Sequence, residues 1–161
     1  MGTDMSTEEK LVSELSEKKL KITFAESCTG GLVSARLVNV AGSSAVFDGS
    51  LCSYANDVKM RLLGVSRQVL DEKGAVSAAC ALQMAEGAAA LFKTDIAVSV
   101  TGIAGPGGGS PSKPVGTVYI CCTASGKSVI KRFRFRGDRQ EVRSSAAEAA
   151  LRLALSAADR L

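Results

Sequence analysis

The sequence predicts an α/β fold in three layers, α/β/α, built around a mixed, mostly parallel five-stranded sheet. Three observations carry this expectation. Apolar runs of strand length, residues 21–25 and 96–101, alternate with stretches that repeat apolar residues at helical spacing, residues 32–38 and 77–93, as in strand–helix–strand units with parallel pairing. The last two strand-like runs, residues 115–122 and 127–136, are joined by a short turn around Ala124-Ser125-Gly126, which requires an antiparallel hairpin. With 46% hydrophobic and 22% charged residues, a chain of 161 residues can bury a substantial core as a single domain.

Each element follows from local chemistry. Met5 offers a second start, so residues 1–5 are expected to be disordered or a start-site extension without weight in the fold. Ser6-Thr7-Glu8-Glu9 has capping-box spacing and opens a helix with Leu11, Val12 and Leu15 on its apolar side, ending near Leu20. The strand at 21–25 and the helix at 32–38 follow. Gly42-Ser43-Ser44 then breaks the chain before a second strand at 49–54. Asn56 or Asp57 caps a short helix carrying Val58, Lys59 and Leu62, which Gly64 stops. Ser66 opens another turn of helix as far as Leu70, and Gly74 ends it. The alanine-rich helix at 77–93 has small residues that permit close approach to a sheet, and the strand at 96–101 is apolar enough to be central. Residues 102–114 hold too much Gly and Pro for regular structure. In the fifth strand Phe133 and Phe135 alternate with Arg132, Arg134 and Arg136, giving a buried face and a basic one: an edge protected from sheet-to-sheet pairing, or an anion-binding strip. Asp138-Arg139-Gln140-Glu141 repeats the capping-box spacing and starts a last helix with Val142, Ala146, Ala149 and Leu153 on one face.

Composition excludes several functions. A net charge of +4 suits an anionic small molecule, but 4% aromatic residues and no Trp leave few stacking platforms, so no nucleic acid is expected as a partner. No segment is apolar for long enough to span a membrane and the N-terminus lacks signal-peptide regions, so no membrane partner and a cytoplasmic location are expected. The cysteines Cys28, Cys52, Cys80, Cys121 and Cys122 are odd in number and form no Cys-x-x-Cys, which fits free thiols rather than disulfides or zinc. There is no histidine, which excludes Ser-His-Asp triads, Cys-His dyads and His-containing metal sites. Acid–base chemistry must then run through Lys, Tyr, Cys, Asp or Glu.

The stretch Phe24-Ala25-Glu26-Ser27-Cys28-Thr29-Gly30-Gly31 leads from a buried strand into a helix, so a hydroxyl, a thiol and a carboxylate stand where open α/β sheets bind ligands. A capped strand–helix turn would look the same. Cys28 could act only with a depressed pKa, and Ser27 only with a neutral lysine as base. Lys59, beside Val58 and Met60 at the start of a helix, is less solvated than Lys18, Lys19 or Lys131, although a surface lysine has the same spacing. The glycine loop lacks Gly-Lys-Ser/Thr and leads into a strand, so it is no P-loop; it can bring backbone N–H groups to a ligand, or simply be a surface loop.

Glu26-Ser27-Cys28-Thr29-Gly30-Gly31, Ala41-Gly42-Ser43-Ser44, Tyr54-Ala55-Asn56-Asp57-Val58-Lys59, Gly74-Ala75-Val76-Ser77, Ser99-Val100-Thr101-Gly102-Ile103-Ala104-Gly105-Pro106, Lys113-Pro114-Val115-Gly116-Thr117 and Gly137-Asp138-Arg139 together resemble the C-terminal domain family of the competence/damage-inducible protein CinA. The resemblance runs in order from about residue 11 to 155. It implies an anticodon-binding-domain-like architecture with one antiparallel strand. It also implies hydrolysis of nicotinamide mononucleotide (NMN) to nicotinic acid mononucleotide and ammonia, in pyridine nucleotide recycling, by a Ser–Lys amidohydrolase without metal or other cofactor. On this chain Ser27 matches the nucleophile, Lys59 the base and Tyr54 a tyrosine of the site. Glu26, Thr29, Gly30, Thr101, Gly102, Gly105 and Arg139 are the expected substrate contacts, with Arg139 suited to the phosphate. Segments 26–30 and 102–110, with Tyr54 and Lys59, are expected to line one pocket, and Cys28 to be a packing residue. The alternative is a non-catalytic nucleotide-binding module of the same fold; a metal-dependent nucleotide phosphohydrolase ranks third, because Glu26, Asp48 and Asp57 form no obvious ligand set. A homo-oligomer is expected if the helix at 77–93 exposes an apolar side.

Overall fold

In the computed structural model, which describes residues 4–161, strands β1 (Ile22–Glu26), β2 (Leu51–Cys52), β3 (Ile96–Gly102), β4 (Thr117–Ala124) and β5 (Lys127–Arg134) form one sheet in the order β2-β1-β3-β4-β5. Residues 1–3 of the N-terminal segment expected to carry no fold weight lie outside the described residues. β1 pairs in parallel with β2 and β3, while β4 pairs antiparallel with both β3 and β5. The sheet is therefore mixed, with β4 alone running against the other strands. Because β4 is interior, its one reversal makes two antiparallel pairings.

Strand alternation sorts the two faces. Ile22, Phe24, Val98, Val100, Val118 and Ile120 point into a core with Leu11, Val12 and Leu15 of α1 (Thr7–Lys18), Val33 and Leu37 of α2 (Leu32–Val38), and Val142, Leu151 and Leu153 of α6 (Arg139–Asp159). The opposite face offers Ala25 and Ala97 to Leu63 of α3 (Asn56–Leu63), to Val69 and Leu70 of α4 (Arg67–Glu72), and to Cys80, Met84 and Ala88 of α5 (Ala78–Phe92). Small residues on both partners let α5 lie close to the sheet, and the Ser99 hydroxyl donates to the Ala81 carbonyl at 2.5 Å. Both expected capping boxes form, at Ser6/Glu9 and Asp138/Glu141.

Some boundaries differ from the sequence reading. The second strand, expected over 49–54, pairs only at Leu51 and Cys52, because past Ser53 the chain leaves the sheet edge to start α3. That helix is capped by neither Asn56 nor Asp57: its N-cap is the extended Ala55, and Asn56 is already helical. β4 starts at Thr117 rather than 115 because Gly116, at φ 92, turns the chain just before it. β5 stops at Arg134, and the expected separation of faces holds only in part. Phe133 and Phe135 stack at 5.0 Å between ring centroids and are half-buried against the core while Arg132, Arg134 and Arg136 are exposed, but Val129 and Ile130 are exposed as well.

Candidate active site

Ser27 stands where β1 gives way to a turn, its N–H still continuing the ladder to the Val100 carbonyl at 2.9 Å. The chain then passes through Gly30 and Gly31, with φ 60 and 102, values that favour glycine, before entering α2. On the neighbouring edge the Ser53 N–H donates to the Glu26 carbonyl at 2.7 Å, which locks the start of the 53–59 segment to the end of β1. One turn into α3, Lys59 points inward and is 1% exposed.

The Lys59 Nζ lies 3.1 Å from the Ser27 Oγ, 2.6 Å from the Ser53 carbonyl oxygen and 3.1 Å from the Tyr54 carbonyl oxygen. No carboxylate pairs with it among the described residues. Burial lowers the Lys59 pKa from the ordinary lysine range, and the neighbouring Cys80, Cys28 and Cys52 oppose it only in part. The three acceptors also fix how each protonation state is arranged. An ammonium can donate to all three. A neutral amine can donate to the two carbonyls, and its lone pair is left facing the Ser27 hydroxyl.

Tyr54 is exposed, and its hydroxyl accepts from Arg139 Nη2 at 3.2 Å; Arg139 Nη1 donates to the Gly105 carbonyl at 2.7 Å. The Thr101 hydroxyl donates to the Ala75 carbonyl at 2.8 Å and holds the 75–76 segment as a wall. Between them lies a cavity of about 210 Å³ lined by Ser27, Cys28, Tyr54, Asn56, Lys59, Ala75, Val76, Thr101, Gly102, Ala104 and Arg139. This is below the roughly 300–1,000 Å³ usual for a whole small-molecule site, so it suits the reacting end of a substrate with the remainder over the rim. A larger hollow of about 640 Å³ lies at the opposite end of the sheet, beside Thr94, Asp95 and the Ser125–Gly126 turn, and holds no nucleophile–base pair.

The structure thus brings together Ser27, Lys59, Tyr54, Thr101, Gly102 and Arg139. Other expected contacts lie elsewhere. Glu26 turns away from the cavity: its carboxylate accepts from the Val33 N–H, the Ser34 N–H and the Ser34 hydroxyl, at 2.9, 3.1 and 2.7 Å, and so caps α2. Thr29 is fully buried outside the lining, Gly30 sits on the outer side of the turn against Arg143, and Gly105 contributes through its carbonyl on Arg139. The glycine loop faces the cavity only at its start. Farther along, Lys113 Nζ donates to the Lys73 carbonyl and Arg132 Nη2 to the Ser112 carbonyl, at 2.5 and 2.8 Å, so the expectation that it lines the pocket as far as Ser110 is corrected. Cys28 is 6% exposed, and burial pushes its thiol up to about 11, which leaves it protonated at neutral pH.

The sequence reading gave no site role to Asn56, Ala75, Val76 or Arg143. Asn56 reaches the lining because Ala55, not Asn56, is the helix cap. Arg143 follows Arg139 by four residues on α6, a spacing that puts both on one face of a helix. Its Nε donates to the Cys28 carbonyl at 3.1 Å and its Nη2 to the Thr29 carbonyl at 2.9 Å.

A family model described as CinA C-terminal domain matches residues 4–158. A CinA-like protein of Dictyoglomus thermophilum is 54% identical over 140 residues, covering 87% of this chain and 34% of that protein. One from Kosmotoga olearia is 48% identical over 146 residues, covering 91% and 35%. The chain spans about a third of the length of the curated relatives it matches. Among solved structures, the competence/damage inducible protein CihA from Agrobacterium tumefaciens superposes with a TM-score of 0.90 at 40% identity, over 97% of this chain and 98% of that one. A CinA superfamily protein from Klebsiella pneumoniae gives a TM-score of 0.92 at 31% identity, over 96% and 97%.

Proposed function

Since the chain belongs to the CinA C-terminal domain family, we propose that it is a metal-independent Ser–Lys amidohydrolase that converts NMN to nicotinic acid mononucleotide and ammonia, in cytoplasmic pyridine nucleotide recycling. One observation carries this reading: a buried lysine amine, unpaired with any carboxylate, within 3.1 Å of a serine hydroxyl at the end of a sheet strand.

In the proposed reaction the NMN carboxamide enters the cavity. Its pyridinium ring withdraws electrons and makes the carbonyl more electrophilic. The Ser27 Oγ attacks that carbon while neutral Lys59, its lone pair already facing the hydroxyl, takes the proton. The Ser53 and Tyr54 carbonyls then accept from the new ammonium, which stabilises it without an ion pair. Lys59 hands the proton to the leaving ammonia, and a water, deprotonated by the same amine, releases the acyl group from Ser27. Backbone N–H groups of the turn after Ser27 or of the glycine loop would hold the oxyanion, a contribution of about 3–4 kcal/mol per donor. Arg139, at the rim with Tyr54, would meet the substrate phosphate, which lies at the far end of the nucleotide from the carboxamide.

The test is ammonia release from NMN by the purified chain, with and without EDTA, beside Ser27→Ala. Equal turnover in both conditions, abolished in Ser27→Ala, supports the proposal. Loss of turnover in EDTA that added metal restores points to the phosphohydrolase class. Tight NMN binding without ammonia release favours the non-catalytic nucleotide-binding module.

A further inference from the structure

Resting on the Ser–Lys reading above, we infer that Arg143 is a positioning residue: by holding the Cys28 and Thr29 carbonyls it fixes the turn so that the backbone N–H of Cys28 is aimed at the oxyanion formed on attack by Ser27. The carbonyls of the turn are all tied down. That of Ser27 accepts from the Gly30 N–H at 3.0 Å, that of Cys28 from Arg143 Nε at 3.1 Å, and that of Thr29 from Arg143 Nη2 at 2.9 Å and the Leu32 N–H at 3.1 Å. The Ser27–Cys28 and Cys28–Thr29 peptides are trans, so each N–H points opposite to the carbonyl of its own peptide. Fixing the Ser27 carbonyl therefore fixes the Cys28 N–H, and Arg143 acts on it through the next peptides: its hold on the Thr29 carbonyl fixes the Gly30 N–H of the same peptide, which is the group that donates to the Ser27 carbonyl.

The Cys28 N–H donates to no protein acceptor among the described residues, unlike the N–H groups of Ser27, Gly30, Leu32, Val33 and Ser34 around it. It is the donor immediately after Ser27, and Cys28 lines the cavity while Arg143 does not. Arg143 is also without a carboxylate partner among the described residues, so its full charge stands behind the turn. Four residues earlier on the same helix face, Arg139 closes the other side of the cavity through Gly105 and Tyr54.

The experiment compares wild type, Arg143→Gln, Arg143→Lys and a Ser27→Ala blank, as full chains. It measures kcat and KM for ammonia release from NMN, the pH midpoint of kcat, the melting temperature, and the rate at which a fluorophosphonate labels Ser27. In that labelling the Oγ–P bond forms, the P–F bond breaks, fluoride leaves and the hydroxyl proton passes to Lys59. The tetrahedral phosphoryl oxygen needs the same N–H donor, and no carboxamide is involved. Arg143→Gln should lower kcat and the labelling rate in parallel by about 10–100-fold, short of or at the low end of the ~10²–10³ lost when a donor is removed outright, with KM within about threefold and the pH midpoint unmoved. Arg143→Lys, which keeps the charge and one donor set, should recover part of both rates. Rates within about threefold of wild type, a loss carried by KM, a shifted pH midpoint, or a lysine variant no better than glutamine with an equally lowered melting temperature would each overturn the inference. If wild type is labelled at Ser27 yet releases no ammonia, the NMN reading fails and the labelling rates alone decide the role of Arg143. A chain that does neither overturns both.

Discussion

At the scale of single residues, the weight falls on the amine of Lys59. Its pKa is lowered by burial, so the fraction of active base should increase with pH, and kcat should rise to a plateau at a midpoint below the ordinary lysine range. A kcat–pH profile that is flat, or that falls over this interval, would remove the amine as base. Lys59→Arg keeps the charge and could still donate to the Ser53 and Tyr54 carbonyls, but it cannot become neutral at any working pH, so it should lose at least ~10²-fold in kcat, nearly as much as Lys59→Ala. Wild-type-like turnover in Lys59→Arg would make Lys59 an electrostatic residue. Cys28 offers the complementary contrast. With its thiol held protonated by burial, Cys28→Ser should keep most activity, while Ser27→Ala should abolish it; the opposite result would transfer the nucleophile to sulfur. That Ser27 and Lys59 share one site was legible before the fold because histidine is absent and their segments carry recognisable motifs. The orientation of Glu26 was not legible. A carboxylate next to Ser27 looks like a substrate contact in one dimension, and only the path of α2 shows that its oxygens serve as the helix cap.

At the scale of elements, two contacts decide whether the site is held. The first ties α1, α2 and α6 together through Arg36, whose Nη2 lies 2.7 Å from carboxylate oxygens of both Glu8 and Glu148; Glu148 also accepts from Thr7 and Arg152. Burial alone would raise the Glu148 carboxyl, but the hydrogen bonds from Arg152, Arg36 and Thr7 hold it at about 2. A depressed folded-state pKa contributes stability that is complete above the ordinary carboxylate range and is lost as pH falls towards about 2. Glu148→Gln should therefore cost about 1–2 kcal/mol at pH 7, allowing for solvent screening of a partly exposed group, and should flatten the acid limb of stability in urea titrations between pH 5 and 2. The second contact is Gly87 of α5, where a Cβ would run into the Leu63 carbonyl at the end of α3. Gly87→Ala must push α3 outward, and α3 carries Lys59. It should cost about 1–3 kcal/mol and reduce kcat together with stability, as melting and ammonia release would report. Unchanged values for both would mean that α3 can yield without moving the amine. An isolated glycine in an alanine-rich helix reads as a mild propensity defect; the need for it comes from a helix crossing that no local pattern encodes.

At the scale of the whole molecule, the order of apolar runs, helical spacings and a short final turn sufficed for a mixed sheet, because the connection lengths dictate strand direction. Strand extents were less readable. Residues 49–54 have strand character throughout, yet only Leu51 and Cys52 find a partner, since β2 is an edge and the next residues are drawn away to support Lys59. The glycine loop looked like one functional unit, but its far part is tied by Lys113 and Arg132 to α4's end and to β5, a long-range arrangement invisible in composition. Arg143 was missed for the same reason: its partners lie 114 and 115 residues upstream. That separation has a consequence for the time at which the chain becomes chemically competent. During synthesis the serine and its lysine are made early, whereas the arginines that close the cavity and hold the turn, Arg139 and Arg143, come only in the last helix. A ribosome-held chain arrested before residue 138 should leave Ser27 unlabelled by a fluorophosphonate, while one extended through α6 and clear of the exit tunnel should be labelled. The proposed Ser–Lys centre would thus stay silent during translation until the helix that completes it has emerged.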